Sequence, residues 1–296
     1  MLINIVLPVF VMFGAGFTVA RVKSLNAQTL SRVSLYILAP ALVFSKLAKT
    51  TISGPDFAQI VTFTVLGTLI LLLMSWALAR LLRLERGQES AFMLACSFVN
   101  HGNYGLPLVL FAFGQEGLER ALVYFVTGAF LAYTLAVFIA SRGKAKAISS
   151  LLNILKVPTI YAVVAAFAVN VTNFVVPEVV LKPLNMAADA CIPVMLLLLG
   201  VQLGSASLRG QVRMISLAVF VRLVGGAVVG LVLAALMGLT GLTRQVCVVE
   251  HSTPTAVLTS ILSAEFGSEP EFVTGVIFAS TLASVVTMTL LVAWIS

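Results

Sequence analysis

Ten apolar stretches alternate with short polar connections along the whole chain. They cover residues 2–20, 31–48, 58–82, 90–113, 118–141, 156–175, 182–204, 212–237, 243–265 and 271–295. A helix needs roughly 20 apolar residues to cross about 30 Å of hydrocarbon, so each stretch is long enough to span a bilayer. Because the runs are continuous and lack the alternation of outer-membrane strands, the pattern predicts transmembrane α-helices throughout.

The composition supports a membrane protein and excludes an ordinary soluble domain. Of the 296 residues, 60% are hydrophobic and 10% are charged, and the mean hydropathy is +1.10. Soluble domains are about 45–50% apolar and about 25% charged. The three cysteines, Cys96, Cys191 and Cys247, lie far apart in apolar stretches. Neither a disulfide framework nor a metal site is therefore predicted.

The distribution of basic residues predicts the topology. The net charge is +7, but lysine and arginine are dispersed among short connections, which does not favour nucleic-acid binding. Twelve of them fall in odd-numbered connections and five in even-numbered ones. By the positive-inside rule the odd connections are cytoplasmic, and both termini lie on the other side of the cell (inner) membrane. Glu116, Glu119, Glu269 and Glu271 are expected on that outer side.

The chain divides into two similar halves. Residues 1–141 and 156–296 each hold five spans, and a basic cytoplasmic linker, 142–155, joins them. Because the number of spans per half is odd, the second half is inverted relative to the first. Local patterns recur at offsets of 150, 153 and 153 residues: Pro8 with Pro158, Pro40 with Pro193, and Phe113-Gly114-Gln115-Glu116 with Phe266-Gly267-Ser268-Glu269. Weak internal symmetry of this kind is typical of inverted-repeat transporters.

Two spans carry dense polar interruptions, and each is the fourth of its half. One reads Asn100-His101-Gly102-Asn103-Tyr104-Gly105-Leu106-Pro107, and the other reads Glu250-His251-Ser252-Thr253-Pro254-Thr255. Glycine and proline break the helical hydrogen bonds, and a broken backbone is tolerated at mid-bilayer only when it is buried in protein or lines a wet cavity. A simple kink would explain one proline, but the clustering of polar residues favours a substrate site.

Three side chains in these segments could bind a coupling ion. Glu250 could bind Na⁺ or carry a proton, because a carboxylate within a span is costly unless it is paired, protonated or bound to a cation. Alternatively, it lies near the membrane face and reaches solvent. His101 and His251 could relay protons or serve as neutral hydrogen-bond partners between helices.

Two further charges lie within spans of the second half, Asp189 in the seventh and Arg222 in the eighth. They could pair with each other, and Arg222 could also attract an anionic substrate. The small residues Gly200 and Gly204 fit the spacing of close helix packing.

With these residues in view, the chain resembles the auxin efflux carrier family, especially its bacterial members. The features that carry the resemblance are Asn100–Pro107, Pro254-Thr255-Ala256 with Ala264-Glu265-Phe266-Gly267, and the openings Leu7-Pro8-Val9-Phe10 and Leu38-Ala39-Pro40-Ala41-Leu42. The resemblance covers nearly the whole chain. It implies the fold of sodium/proton antiporters and bile-acid transporters, in which the broken fourth and ninth helices cross, and a dimer is a plausible assembly.

The resemblance also implies roles for particular residues. Pro107 and Pro254 would mark the crossover, with Asn100 and Asn103 beside the substrate. A moving panel would contain the first, second and fifth helices and their repeats. Glu250 matches the ninth-helix glutamate that binds a cation in sodium-coupled relatives, although many carriers of the family lack an acid there. Substrates of the family include indole-3-acetate and small carboxylates such as malonate.

The sequence thus predicts an all-α polytopic protein of ten transmembrane helices, arranged as two inverted five-helix repeats. Its predicted function is alternating-access transport of a small organic anion, with coupling to H⁺ or Na⁺ left open and no cofactor expected. The predicted substrate-binding residues are Asn100, Asn103, Tyr104, Pro107, Pro254 and Thr255. A channel, an uncoupled uniporter and a membrane sensor or scaffold are the alternatives. An intramembrane enzyme is not favoured, since no Walker A, HExxH or GxSxG motif occurs.

Overall fold

The computed structural model describes residues 2–23, 25–141, 157–205 and 212–295. The predicted linker 142–155 lies outside these residues. The described residues form eleven helices: α1 Leu2–Val22, α2 Ala27–Leu47, α3 Gly54–Leu81, α4 Arg86–Ser97, α5 His101–Ala140, α6 Pro158–Thr172, α7 Glu178–Ser205, α8 Val212–Leu236, α9 Gly241–Ser252, α10 Leu258–Phe266 and α11 Pro270–Ile295.

These helices follow the predicted apolar stretches closely. In the described parts of the chain, six are long and apolar enough to cross a membrane, namely α2, α3, α5, α7, α8 and α11. Shorter apolar helical segments occupy Pro8–Val22 of α1 and Pro158–Thr172 of α6. Backbone groups in hydrocarbon need partners within their own segment, which is why long apolar runs form helices. The predicted all-α class is confirmed, and the predicted fourth and ninth stretches are each divided.

The longest helix, α5, is interrupted at Gly114. This glycine has φ 68° and ψ −159°, so the chain turns sharply between an N-terminal arm, residues 101–113, and a C-terminal arm, residues 115–140. Gly267 ends α10 with φ 67°. Both glycines belong to the Phe-Gly pairs that recur in the sequence. Each adopts a positive φ that side chains with a Cβ rarely tolerate, so these positions favour glycine.

Two breaks in the helices meet and cross near the centre of the molecule. The first separates α4 from α5 at residues 98–100, and the second separates α9 from α10 at residues 253–257. The extended segments pair antiparallel at Val99 and Thr255. The Asn100 N–H donates to the Pro254 carbonyl at 2.8 Å, and the Ala256 N–H donates to the Phe98 carbonyl at 2.9 Å. These bonds satisfy backbone groups that would otherwise be unpaired in an apolar interior.

The helices pack as two bundles. The first bundle contains α1, α2, α6 and α7, and the second contains α3, α4, α5, α8, α9, α10 and α11. In the first bundle α1 and α7 approach closely, since a Cβ on Gly200 would collide with the backbone of Phe13 and Phe17. This is the close packing expected for Gly200, and the same holds for Gly204, whose added Cβ would lie 2.9 Å from the Ala20 side chain.

The C-terminal arm of α5 corrects one expectation. The predicted fifth helix was assigned to a panel with the first two helices, but this arm lies in the second bundle. Its Tyr124 hydroxyl is 2.9 Å from a ring nitrogen of His251 on α9, and its Tyr124 ring also lies 6.5 Å from the Phe63 ring on α3. Polar contacts to the crossing helices position this arm in the second bundle. Hydropathy does not reveal such contacts.

Two ends of the molecule can be distinguished. One end, called the basic end, contains the α3–α4 connection and the starts of α8 and α11. These parts surround a cavity of about 250 Å³, which is lined by Leu84, Gln88, Phe92, Met214, Glu269, Glu271 and Phe272. At the opposite end, Gln245 donates to the Ile295 carbonyl at 2.8 Å. The expectation that Glu269 and Glu271 share a side with the termini is therefore wrong. The connection after the ninth predicted span is odd-numbered and returns to the basic end.

Candidate functional site

A cavity of about 140 Å³ lies where the two bundles meet at the crossing. Its walls come from both broken segments and from one face each of α2, α7 and the C-terminal arm of α5. The lining residues that carry polar side chains are Ser31, Ser34, Asn100, His101, Asn103, Tyr133, Gln202 and Thr259. Since α2 and α7 belong to the first bundle, movement of one bundle against the other would reshape this cavity.

Three of the predicted site residues, Asn100, His101 and Asn103, line the cavity. The Asn100 amide nitrogen and the His101 Nδ1 are buried without a hydrogen-bond partner. Buried polar atoms are nearly always paired, so unpaired ones at a cavity are groups available to bind a ligand. The first polar interruption therefore faces a cavity, and the assignment of this cavity as a substrate site stays a prediction.

Ser34 is a cavity residue that the sequence analysis missed. It lies at the start of a π-helical turn, Ser34–Leu38, within α2, and its hydroxyl is also buried without a partner. π-Helical turns often occur at functional sites. A single serine in an apolar span carries no distinctive sequence signal, so only its position opposite the crossing identifies it. Ser34 brings an unpaired polar group from the first bundle to the same cavity as Asn100 and His101.

Two half-helices begin at the cavity wall. The helix α5 starts at His101. At this start the Gly105 N–H donates a hydrogen bond to the Asn100 carbonyl at 3.0 Å. The helix α10 starts at Leu258, which also lines the cavity. The first N–H groups of a helix lack internal partners and carry partial positive charge. Among the described residues that line the cavity there is no aspartate, glutamate, lysine or arginine. Its electrostatic character is therefore set by amide, imidazole, hydroxyl and N–H groups.

The other predicted substrate residues lie behind the cavity wall. The Tyr104 hydroxyl accepts a bond from Ser284 at 3.0 Å. The Thr255 hydroxyl donates to the Ala95 carbonyl at 2.8 Å. Both side chains are buried. They join the crossing to α11 and α4, so their polar groups hold the second bundle together.

The two prolines differ in their relation to the crossing. Pro254 lies in it, since its carbonyl accepts the Asn100 N–H. Pro107 does not, which corrects the expectation that it marks the crossover. It is at the second position of an α-helical segment that begins at Leu106. Pro107 follows the π-helical turn 101–105 within α5, where proline removes one backbone donor from the helix. The break itself lies at residues 98–100, before the polar run.

Glu250 lies in the last turn of α9 and is fully buried. Both of its carboxylate oxygens are buried without a hydrogen-bond donor. They press against α5, because a Cβ added to Gly105 would collide with the carboxylate. The alternative of a glutamate that reaches solvent is thus excluded. An unpaired carboxylate in such a place is stable only when it is neutral or bound to a cation.

The two histidines are connected through Tyr124. The Tyr124 hydroxyl is 2.9 Å from His251 Nδ1, and its ring centroid is 6.4 Å from that of His101. His251 is fully buried, while His101 reaches the cavity. Tyr124 was not predicted, since one tyrosine in an apolar span is most often a packing residue. Its hydroxyl nevertheless bonds to His251, which is adjacent to Glu250 in the chain, while its ring contacts the ring of His101.

The predicted pair of Asp189 and Arg222 does not form. Asp189 is exposed on α7. Arg222 is fully buried in a π-helical turn of α8, and it donates to the carbonyls of Cys96 at 2.9 Å and His251 at 2.5 Å. The two residues belong to different bundles. Carbonyl groups at the crossing accept from both Nη groups in place of a carboxylate, while Nε is buried without a partner. Arg222 does not line the cavity.

Comparison with known proteins agrees with a membrane carrier. A family model described as a membrane transport protein matches residues 1–292. An uncharacterized transporter of Methanocaldococcus jannaschii is 26% identical over 276 residues, which cover 90% of this chain and 89% of the relative. An uncharacterized transporter of Methanothermobacter thermautotrophicus is 28% identical over 273 residues, which cover 90% of this chain and 88% of the relative.

Proposed function

This chain belongs to the membrane transport protein family, and we propose that it is a secondary transporter that moves a small organic anion by alternating access between its two bundles. The family and both relatives are transporters, so the chain is a multi-pass membrane transporter and not an enzyme. The observation that carries the proposal is the cavity at the junction of the bundles, where unpaired polar atoms from both bundles meet.

The proposed architecture has ten crossings of the membrane in two inverted halves. In this scheme α4 and the N-terminal arm of α5 form one broken crossing, and α9 with α10 forms its counterpart. The antiparallel pairing of Val99 with Thr255 supports it. So do the positive φ values of Gly114 and Gly267, which occupy matching places in the halves. Binding sites at the interface of inverted repeats are typical of secondary transporters.

The cavity chemistry favours an anion as the substrate. The amide of Asn100 can donate hydrogen bonds, Ser34 offers a hydroxyl, and the starts of α5 and α10 add partial positive charge. A carboxylate could accept several of these bonds at once, and no acidic side chain among the described lining residues opposes it. A small dicarboxylate such as malonate or an auxin-like indole carboxylate fits this chemistry.

The charges favour one orientation in the membrane, and the cavity favours one conformation of the proposed cycle. With the basic end in the cytoplasm, both termini lie outside, in an inner-membrane protein. The cavity extends from the crossing towards the basic end, along Ser31, Ala136 and Gln202. At the opposite end Thr50 donates to Glu119 at 2.6 Å, which joins the α2–α3 connection to α5. The conformation is thus an inward-open one in the proposed cycle.

Coupling in this proposal depends on Glu250. A buried carboxylate without a partner is suited to hold a proton or a cation. His251, the next residue in the chain, bonds to Tyr124, whose ring contacts His101 at the cavity. Loading of Glu250 in one conformation and release in the other would tie substrate movement to an ion gradient. An uncoupled uniporter would not need this carboxylate.

We expect Asn103→Asp to reduce anion uptake by at least about tenfold, because it places a negative charge in the cavity beside the bound carboxylate. Uptake of radiolabelled malonate and indole-3-acetate is measured in proteoliposomes with and without H⁺ and Na⁺ gradients. Asn26→Asp is the matched control, since Asn26 is an exposed N-cap of α2 where aspartate caps equally well.

Three outcomes decide the proposal. Accumulation against a gradient by the wild type, lost in Asn103→Asp and kept in Asn26→Asp, supports an anion carrier with its site at the crossing. Flux that only equilibrates would favour a channel or uniporter. An Asn103→Asp variant that accumulates these anions as fast as the wild type would contradict the proposed site.

A further inference from the structure

Two half-helices end at the crossing, in addition to the two that begin there. The helix α4 ends at Ser97 and α9 ends at Ser252. The last carbonyls of a helix lack internal partners, and each C-terminus carries about half a negative charge. Two such ends close together in an apolar interior carry about one unit of negative charge between them, and their carbonyls need donors. Something must neutralise this charge if the crossing is to be stable.

A single guanidinium reaches both helix ends. Arg222 Nη1 donates to the Cys96 carbonyl at 2.9 Å, and Arg222 Nη2 donates to the His251 carbonyl at 2.5 Å. Cys96 and His251 are each the residue before the last of their helices. The side chain is fully buried, and an arginine keeps its charge in such surroundings. One positive charge thus balances two half-charges and fixes the two helix ends relative to each other.

The local shape of α8 places the Arg222 guanidinium at the two helix ends. Arg222 lies in the π-helical turn 221–225, which changes the direction of its side chain relative to a regular helix. A Cβ added to Gly226, four residues on, would collide with Arg222 Nη2 and would lie 3.3 Å from the His251 carbonyl. A larger residue at Gly226 would therefore displace the guanidinium. The position requires both the arginine and the glycine.

In membrane carriers with broken helices, freed carbonyls and half-helix C-termini commonly coordinate Na⁺. Here the corresponding carbonyls already have a cation, because the guanidinium of Arg222 binds them. Among the described residues the ion pairs are Arg80 with Glu89 and Lys182 with Glu178. Arg222 is therefore bound by helix carbonyls and is not committed to a carboxylate.

We infer that Arg222 is a tethered cation that takes the place of a bound metal ion at the two half-helix C-termini, so that the crossing assembles without Na⁺. It acts as a positioning residue, since it holds α4 and α9 and does not contact the cavity. Its consequence for transport, that Glu250 is the remaining place for a coupling ion, rests on the proposed function. The assembly of the crossing does not, and it can be tested without a substrate.

The test measures the thermal unfolding midpoint, Tm, of the purified full-length protein in detergent at equal concentrations of sodium, potassium or choline chloride. The wild type is expected to show the same Tm in all three salts. Arg222→Ala is expected to lose at least about 5 °C, because two charge-assisted bonds are removed. Millimolar guanidinium or Na⁺ is expected to restore part of this loss. Arg120→Ala, which removes a partly exposed arginine bonded to Thr243 and the Glu116 carbonyl, is the control and should respond to neither ion.

Several results would overturn the inference. These are a wild-type Tm that rises with Na⁺ relative to choline, an Arg222→Ala variant as stable as the wild type, and a destabilised variant that no cation restores. If Arg222→Ala yields no folded protein, the folding of Arg222→Lys is compared with that of Arg222→Met. A folded lysine variant beside an unfolded methionine variant supports a charge role, and equal behaviour of the two overturns it. None of these results depends on whether malonate or an indole is transported.

Discussion

Glu250→Gln is expected to abolish ion-driven accumulation of the substrate while the protein stays folded. The side chain is fully buried in the last turn of α9, and its two oxygens have no donor among the described residues. Glutamine has nearly the same shape as the acid, so packing against Gly105 should be kept. It can neither release a proton nor neutralise a cation, and the substrate should then only equilibrate across the membrane.

This result is measured as the ratio of internal to external substrate in proteoliposomes under an H⁺ or Na⁺ gradient, with Tm as the check on folding. Glu265→Gln is the matched control, because Glu265 lies exposed on α10. Wild-type accumulation by Glu250→Gln would show that the buried carboxylate has no part in coupling. Loss of both accumulation and Tm would point to a purely structural role.

The second large effect is expected from Gly105→Ala. A Cβ at this position would overlap the Glu250 carboxylate, and this fully buried side chain would have to shift to make room. Overpacking of this kind costs about 1–3 kcal/mol, although alanine is otherwise the better helix former by about 1 kcal/mol. We therefore expect a lower Tm and an impaired transport rate. Gly54→Ala should raise the Tm or leave it unchanged, since nothing lies within 4 Å of its added Cβ.

A double variant separates this contact from a general effect on α5. If the overlap with the carboxylate is the cause, Glu250→Ala should relieve it, and the two changes should be strongly non-additive in unfolding free energy. Additive losses would mean that Gly105 is needed for another reason. The comparison requires only Tm or unfolding measurements on four proteins.

Much of the fold could be predicted from hydropathy, because a bilayer imposes the same requirement on every segment that crosses it. The predicted stretch 58–82 ends one residue after the last residue of α3, and the predicted stretch 271–295 nearly coincides with α11. The breaks were also predictable, since glycine, proline and polar residues clustered at the same place in each half. The positive φ of Gly114 and Gly267 explains why the Phe-Gly pairs recur.

The partners of the polar residues could not be predicted. Hydropathy indicates that Arg222 and Asp189 are costly in a span, but a single sequence does not reveal which face of each helix they occupy. In the structure the two Nη groups of Arg222 donate to carbonyls 126 and 29 residues away in the chain. The polar groups of Tyr104 and Thr255 likewise bond to α11 and α4. Long-range contacts of this kind decide whether a polar residue lines the cavity or stabilises the crossing.

The assignment of helices to bundles failed for a related reason. An apolar surface looks the same to hydropathy whether it faces lipid or another helix, so the C-terminal arm of α5 carries no signal that places it in either bundle. Tyr124, Arg120 and Gly128 on this arm contact His251, Thr243 and His101, and these contacts place it with the crossing helices.

The most direct test of alternating access is the labelling of one cavity cysteine from each face of the membrane. Ala129 lines the cavity, and the native Cys96, Cys191 and Cys247 are buried, so background reaction should be low. A membrane-impermeant maleimide is applied to oriented vesicles that carry Ala129→Cys. We predict fast labelling from the basic end and slower but measurable labelling from the opposite end, and the latter should cease when a Thr50→Cys/Glu119→Cys pair is cross-linked. Labelling from the basic end only in the variant without the cross-link, or labelling from the opposite end that persists after cross-linking, would contradict the proposed movement of the two bundles.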